Sequence, residues 1–487
     1  MTALASQILQ NRLVAICREG AETFRRMARS PLVMQEGQYA CAVLDAEGRL
    51  LAQEQGEPSQ LAAVRDTVRR LVDYFSFNIA DGDILLVGDP YFGGTSGGHL
   101  TVVRPVQAGG DIAFFAAVRF AAVDLAGDVS GLMQPGAHEV WQESLRVTPV
   151  KLNRGGNPQK DVMRYILRNT RAPDCLRADL AAAFASTGRV ADKIDAIVET
   201  HGLEALVRAA DHGIAYARIR AAHSLDRMAA PGGTGRAALS EDGFAPVEVA
   251  VSIARAGQTL RIDFSGSSRT SEGSANLTPS ATRAAVVTQL FSGLLEELAV
   301  NEGLLEAVEI VCSADRCVNP AYPAAVSLGW RLVSPLVSAA LAQATGSDAA
   351  VFSAAAPAMV VFEAVGSAAQ SEPILLSPAY RPAEGLAGSD PLDGLRMLPS
   401  AEELETAGAF RLLARQFDGE GNILAEVEVA REGFEAILPP TGDDNRPAVR
   451  QRRPLVRDRS NVLDLEAGAV VSFSYARRET GGSHAIR

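Results

Sequence analysis

Histidine and cysteine are scarce in this chain, and their scarcity narrows its chemistry before any motif is considered. Six histidines and five cysteines are spread over 487 residues. Cys17, Cys41, Cys175, Cys312 and Cys317 form an odd, scattered set, as expected of reduced thiols in a cytoplasmic protein. Cys312 and Cys317 are the one close pair, and no second pair stands near to complete a zinc site. Positive charge is short as well. The net charge of −12 leaves no basic excess to neutralise phosphates, which argues against a nucleic-acid role. No window holds about eighteen apolar residues, so no transmembrane span is expected. The opening MTALASQILQNRLVAICREG is amphipathic and lacks the unbroken apolar core of a signal peptide. G-x-S-x-G and H-E-x-x-H are both missing. What is present is a 47% hydrophobic chain long enough for a large core, arranged in roughly two to four domains.

Helical periodicity covers residues 4–29, with Ile8, Leu9, Leu13, Ile16 and Cys17 on one face, and returns at 60–78. Between them QYACAVLDAEGRLLAQ (38–53) alternates as two strands about an Asp-Ala-Glu-Gly turn. Strands are expected at 84–87, 101–106 and 112–118, followed by an irregular stretch at 123–140. QESLRVTPVKL (142–152) reads as extended, which places Glu143 beside Gln142 on a strand. Residues 161–222 are helical in pattern almost throughout. A second β section follows at 247–253 and 260–264, then a helix at 281–298. VNPAYPAAVS (318–327) is a proline-punctuated loop before another helix. Strands flank Asp418-Gly419-Glu420-Gly421, and the last thirty-odd residues, with DNRPAVRQRRPLVRDR, read as an exposed basic arm. The class is α+β: mixed sheets with a central helical region. Four regions are expected: 1–155, an α+β region; 156–235, helical; 236–345, a second α+β region; and 346–487, a divergent region with a basic tail.

The stretch DGDILLVGDPYFGGTSGGHLTVVRP (81–105) concentrates the features that could hold chemistry. Two Gly-Gly pairs allow close backbone approach, and one histidine, His99, follows them. A phosphate cradle would need a helix after the loop, whereas the β-like LTVVRPV follows here, so a tight turn competes with a ligand-facing loop. One imidazole is a poor metal site unless carboxylates such as Asp89, Asp111 or Asp124 converge on it. Asp263-Phe264-Ser265-Gly266 reads as a strand-end turn.

Several ordered phrases together resemble the hydantoinase B family. They are CAVLDAEGRLLAQ (41–53), DGDILLVGDPYFGGT (81–95), TVVRPV (101–106), QESLRVTPVKL (142–152), NTRAP (169–173), DFSGSS with GSANLTPSA (263–281) and VNPAYPAAV (318–326). The likeness runs from about residue 6 to 345 and fades beyond. The family includes the B-type subunit, or second half, of ATP-dependent 5-oxoprolinases and N-methylhydantoinases, and the matching subunit of acetone and acetophenone carboxylases. The resemblance implies a hydantoinase B/oxoprolinase-like fold, a small-molecule substrate, and a hydantoinase A-type partner that carries ATP and Mg. A second B-type subunit is also possible under it. A role with nucleic acid or membrane is not implied.

The family's B-type subunit holds a divalent metal through an Asp-Phe-Ser phrase, a Gly-Gly-Thr-His-x-x-Asp loop and a His-His-x-Asp phrase. This chain departs at each. Gln38-Tyr39-Ala40 stand for the first phrase, Ser96 for the loop histidine with His99 in place of its Asp, and Ala121 and Ala122 for the histidine pair, leaving Asp124. Gln60 replaces a further family histidine. The expectation is therefore a chain that binds no metal or other cofactor of its own and is inactive alone. Its candidate catalytic residues are Asp89, Thr95, His99, Asp124 and Glu143. Three functions stay open: an enzyme subunit with rewired residues, a structural or regulatory subunit beside a complete B-type chain, or a shared active site finished by a partner chain, with His99 and Asp124 as half of the constellation. Apolar tracts at 284–298 and 349–363 are expected to lie against a partner.

Overall fold

Alternation along the first hairpin sends its side chains into two separate cores. Strand β1 (Tyr39–Asp45) pairs with β2 (Leu50–Gln55), with Ala42 opposite Gln53 and Val43 opposite Ala52. Ala40, Ala42 and Leu44 enter one core, and Cys41 and Val43 enter the other. Burial on both faces explains why the strand reads as nearly continuous apolar sequence. Strands β3 (Ile84–Gly88), β4 (His99–Ala108), β5 (Asp111–Ala121), β6 (Val147–Arg154) and β7 (Asn157–Pro158) extend it to seven, ordered β2-β1-β5-β4-β3-β6-β7, all antiparallel.

The computed structural model describes residues 3–347 except 35–36, 129–130, 135, 229–231, 240–245 and 296. Beyond 347 it describes 360–364, 374–376, 410–417, 423–430, 434–437, 448–450, 462–465 and 467–475. Helices α1 (Ala3–Met27), α2 (Pro31–Met34), α3 (Ala63–Phe75) and α4 (Val140–Glu143) surround the sheet, followed by α5 (Lys160–Arg168), α6 (Pro173–His201) and α7 (Leu203–Asp226). Leu13 and Phe24 of α1, Leu180 and Ile194 of α6 and Leu206 of α7 share one core with Val43, Val102, Val118 and Phe120. The helical stretch expected at 161–222 is thus three helices. Pro173 starts α6, as its missing N–H allows, and Gly202 (φ 82°) separates α6 from α7.

The residues of the opposite face share a second core with α3 and with a second sheet. Its strands are β8 (Thr234–Leu239), β9 (Val247–Ala256), β10 (Thr259–Asp263) and β11 (Val308–Val311), ordered β11-β10-β9-β8 with β10 and β11 parallel. Helices α8 (Pro279–Leu295), α9 (Glu302–Leu305), α10 (Gly329–Leu332) and α11 (Ser334–Thr345) complete this part. Neither β8 nor β11 was apparent from periodicity. In β8 the reason is Gly235, where an added Cβ would run into the carbonyl of Ala340 in α11. The tract at 284–298 needs no partner to cover it: Ala284, Val286, Val287, Leu290, Phe291 and Leu294 are buried in the chain's own core. The tract at 349–363 lies outside the described residues as far as 359.

Two further antiparallel sheets follow. One is β13-β12-β16-β18, from β12 (Val360–Ala364), β13 (Ile374–Leu376), β16 (Phe434–Ile437) and β18 (Val462–Leu465). The other is β14-β15-β19-β17, from β14 (Phe410–Phe417), β15 (Ile423–Val429), β17 (Ala448–Arg450) and β19 (Val470–Tyr475). Within and beside the stretch expected as a basic arm, three short segments are strands. VLDL and VVSFSY near its end alternate and pair as β18 and β19, and Ala448–Arg450 pair with β19. The Arg-rich residues 451–461 lie outside the described residues.

Candidate functional site

Three of the sequence phrases, far apart in the chain, meet at the end of β3. Asp89 caps the short turn Pro90–Phe92, its Oδ1 accepting from the Tyr91 N–H at 2.9 Å. Its Oδ2 accepts from Arg146 Nη2 at 2.6 Å, and both side chains are largely buried. Arg146 also donates to Tyr322 Oη at 2.7 Å and lies 4.5 Å from the Trp141 ring centroid and 5.0 Å from that of Tyr322. Tyr91 Oη donates to the carbonyl of Ala324 at 2.7 Å. The loops at 89–99, 139–146 and 318–328 are thereby tied together. Gly93 (φ 89°) brings the first of them so close to α3 that a Cβ would lie 2.6 Å from the Asp66 carbonyl carbon.

Glu143 stands in the helical turn α4, not on a strand, and is 1% exposed. The sequence QESLRV reads as extended, but a reciprocal capping box between Glu139 and Gln142 curls its start before β6 begins. Glu143 Oε1 accepts from the N–H groups of Val326 and Ser327 at 2.7 and 2.6 Å. Its Oε2 is buried without a partner among the described residues, as is Ser144 Oγ. Burial pushes the carboxyl up to about 7, although the two backbone N–H groups pull the other way. The turn abuts the glycine loop: a Cβ on Gly97 would lie 2.6 Å from Ser144 Oγ and 3.5 Å from Glu143 Cβ.

His99 opens β4 opposite Ala121 of β5. Its Nδ1 shares a 2.8 Å hydrogen bond with Ser96 Oγ, and its buried Nε2 has no partner among the described residues. Burial first, and then the nearby Arg119 cation, hold the imidazole down to about 3, so it is neutral at physiological pH. Thr95 Oγ1 accepts from Arg119 Nη2 at 3.1 Å. Arg119 is 2% exposed, and its other contacts are Gln60 Oε1 at 3.0 Å and Thr101 Oγ1 at 2.9 Å. All of these acceptors are neutral. Burial alone brings its guanidinium down to about 9.

Asp124 is directed elsewhere. Its Oδ1 accepts from Arg171 Nη1 at 2.8 Å and from the Gly131 N–H at 3.2 Å, and its Oδ2 accepts from the Arg171 N–H at 2.7 Å. The carboxylate thus fastens the NTRAP turn and leaves the loop cluster, which gathers Asp89, Thr95, His99 and Glu143. Ala121 and Ala122 enter opposite cores, so the two positions do not face one site together. Among the described residues no three His, Cys, Asp or Glu side chains come together as a metal site. His99 bonded to Ser96, with an arginine close by, is a donor set that does not fit a divalent ion. Arg119 and Arg146 escaped sequence reasoning, and Gln60 was singled out only as the replacement of a family histidine, not as a partner of Arg119. Arg119 had a usable signal, as the lone charge in the apolar run IAFFAAVRFAAV.

Residues 3–414 match the model of the Hydantoinase B/oxoprolinase family. The chain belongs to that family. The match reaches past residue 345, where the phrase likeness fades. Among relatives of this hydantoinase B chain, an uncharacterized Methanocaldococcus jannaschii protein is 25% identical over 342 residues, 68% of this chain and 59% of that protein. The 5-oxoprolinase of Dictyostelium discoideum is 23% identical over 70% of this chain and 27% of its own length. The beta subunit of Pseudomonas jessenii caprolactamase is 27% identical over 36% of this chain and 30% of its own. The hydantoinase B chain therefore aligns with about a quarter to three-fifths of these relatives. Its fold is that of nucleotide-free acetone carboxylase (TM-score 0.80, 14% identity, 97% of this chain and 74% of that one). It is equally that of ATP-dependent caprolactamase from P. jessenii (TM-score 0.79, 17% identity, 97% and 90%). Among the described residues no helix is long and apolar enough to cross a membrane.

Proposed function

We propose that this chain is the B-type subunit of a heteromeric, ATP-dependent enzyme that hydrolyses cyclic amides of the hydantoin or 5-oxoproline class, or of a related carboxylase, and that it holds no metal of its own. The observation that carries the reading is Glu143. It is a buried carboxyl held near neutrality with one oxygen free, at the point where DPYFGGT, QESLRV and NPAYPAAV meet. A carboxyl poised near pH 7 can hold or deliver a proton at a reacting amide. ATP and Mg belong to an A-type partner in this reading. The beta-subunit name of the caprolactamase relative and the 5-oxoprolinase relatives support a shared enzyme. None of the five cysteines is joined in a disulfide, which favours a cytoplasmic setting.

A second reading, a non-catalytic subunit beside a complete B-type chain, is favoured by Gln38, Ser96, Ala121 and Ala122 at the family's ligand positions. One experiment separates the two. The chain is co-purified with an A-type partner, its metal content is measured, and ATP-dependent turnover of 5-oxoproline and hydantoin is assayed. Glu143→Gln and His99→Ala are expected to abolish turnover with assembly intact. Unchanged turnover in both variants would select the non-catalytic reading, and stoichiometric metal in the isolated chain would refute the metal-free site.

A further inference from the structure

Arg119 sits in a cluster with more hydrogen-bond donors than acceptors. A guanidinium carries five N–H groups and no acceptor. Among the described residues three acceptors meet it: Gln60 Oε1, Thr101 Oγ1 and Thr95 Oγ1. Two N–H groups are left over. The two threonine oxygens accept from Arg119, and no hydrogen bond donated by either hydroxyl is found among the described residues. Thr101 is 0% exposed and Thr95 4%, so water does not take up the surplus freely.

The charge is as unbalanced as the hydrogen bonding. No Asp or Glu among the described residues comes within ion-pair distance of Arg119, whereas the nearby Asp89 is already paired with Arg146. A buried cation without an anion is strongly disfavoured in a protein interior. The backbone is shaped to accept it, since a Cβ on Gly94 would lie 3.4 Å from Arg119 Nη2 and 2.9 Å from the Asp89 carbonyl oxygen. His99, with its unpartnered Nε2, lies close enough for the Arg119 charge to act on it. A cluster of this kind lacks one thing, a ligand that brings negative charge and several acceptor atoms.

From this surplus we infer that Arg119, Thr95 and Thr101 form a receptor for an oxyanion, a carboxylate or a phosphoryl group, at the floor of the glycine loop. Planar carboxylates and tetrahedral phosphates both match a guanidinium flanked by hydroxyls. The inference deepens the proposed function by naming the charge of the group this site takes. It is tested by binding rather than by turnover, so each reading can fail without the other.

The test is calorimetric titration of the full chain with 5-oxoproline and with inorganic phosphate, each in wild type, Arg119→Met and Thr101→Val, with folding checked by circular dichroism. Saturable binding of at least one anion is expected in wild type. It should weaken at least tenfold in Arg119→Met and at least threefold in Thr101→Val. Preference for 5-oxoproline assigns the site to a substrate carboxylate, and preference for phosphate assigns it to a phosphoryl group. Either supports the receptor. No binding of either anion to the folded wild-type chain would overturn it, as would wild-type affinity in folded Arg119→Met. If Arg119→Met does not fold, Thr101→Val decides: undiminished affinity there also overturns the inference.

Discussion

Replacing Glu143 by glutamine should flatten the pH dependence of stability around the loop cluster. Burial raises this carboxyl from 4.5 to about 7. An acid whose folded value lies above its unfolded one is more protonated in the folded chain across the interval between them. Stability from this group is therefore intact below about pH 4.5, declines as pH rises towards about 7, and is lost above it. At about 1.4 kcal/mol per pH unit, the gap is worth about 3 kcal/mol. Glutamine keeps an oxygen for the Val326 and Ser327 N–H groups, now accepted by Glu143 Oε1, but cannot ionise. Wild-type stability minus variant stability should therefore fall by about 3 kcal/mol between about pH 5 and pH 8. The chain's two tryptophans, Trp141 and Trp330, lie close in sequence to Glu143 and to the residues that bind it. Urea unfolding followed by tryptophan fluorescence thus reads this region. Parallel pH curves for wild type and variant would refute the assignment of a neutral, buried carboxyl.

Two further substitutions test the frame that holds the cluster. Glu302, with a side chain 1% exposed, joins Arg65 Nη2 at 2.5 Å, Arg69 Nη2 at 2.9 Å and the Leu50 N–H at 3.1 Å. Glu302→Ala leaves Arg65 with Asp66 alone, the one-third exposed Arg69 with the Gly48 carbonyl, and the Leu50 N–H without its acceptor. It should cost about 2–3 kcal/mol in urea unfolding; a loss below about 1 kcal/mol would show the ion pairs to be solvated. Lys151 Nζ lies 2.7 Å from Asp83 Oδ2, both buried. Burial pushes the Asp83 carboxyl up, but Lys151 and the Ala80 and Gly155 N–H groups outweigh it and hold it below its usual value of 3.8. This contribution is present above the unfolded value and lost as pH falls through the lower folded one. Lys151→Met should therefore destabilise the chain at neutral pH and lessen the loss of stability on acidification below about pH 4, read by circular dichroism. An unchanged acid transition would count against the pair.

The fold was legible where local signals carry their own explanation. The Asp-Ala-Glu-Gly turn closes β1 onto β2, and the apolar stripe Val64, Val68, Leu71 marks α3. What failed was local sequence overruled by contacts from afar. A capping box turns Glu143 into a helix that QESLRV does not announce. β8 carries a glycine because α11 presses on it, which weakens the very pattern that would reveal it. In the site, His99 and Glu143 could be picked out as unusual residues, but not as neighbours of one loop. Their meeting depends on bonds from Glu143 to Val326 and from Tyr91 to Ala324, across about two hundred residues or more of chain. Arg119 was hidden for a simpler reason: its meaning lies in the absence of a carboxylate, which only three-dimensional packing can establish.

The phrases that carry the family likeness and the residues that carry chemistry have different jobs, and this explains how one set can stand while the other changes. Asn276, in GSANLTPSA, accepts from the Ser271 N–H and donates to the carbonyls of Ser271, Gly273 and Ala325. Thr278 donates to the carbonyl of Gly94 at 2.7 Å. Asp89 caps a turn and holds Arg146, and Gly93 lets that turn lie against α3. Each of these contacts shapes the loop, and none requires a bound ion. Positions 38, 96 and 121 are occupied by Gln, Ser and Ala without disturbing any of them. A loop kept in shape by backbone contacts can therefore present a different set of polar groups from the family's. Here the set is a neutral imidazole, a carboxyl near neutrality and a buried guanidinium, the groups on which the proposed proton transfer and anion binding rest.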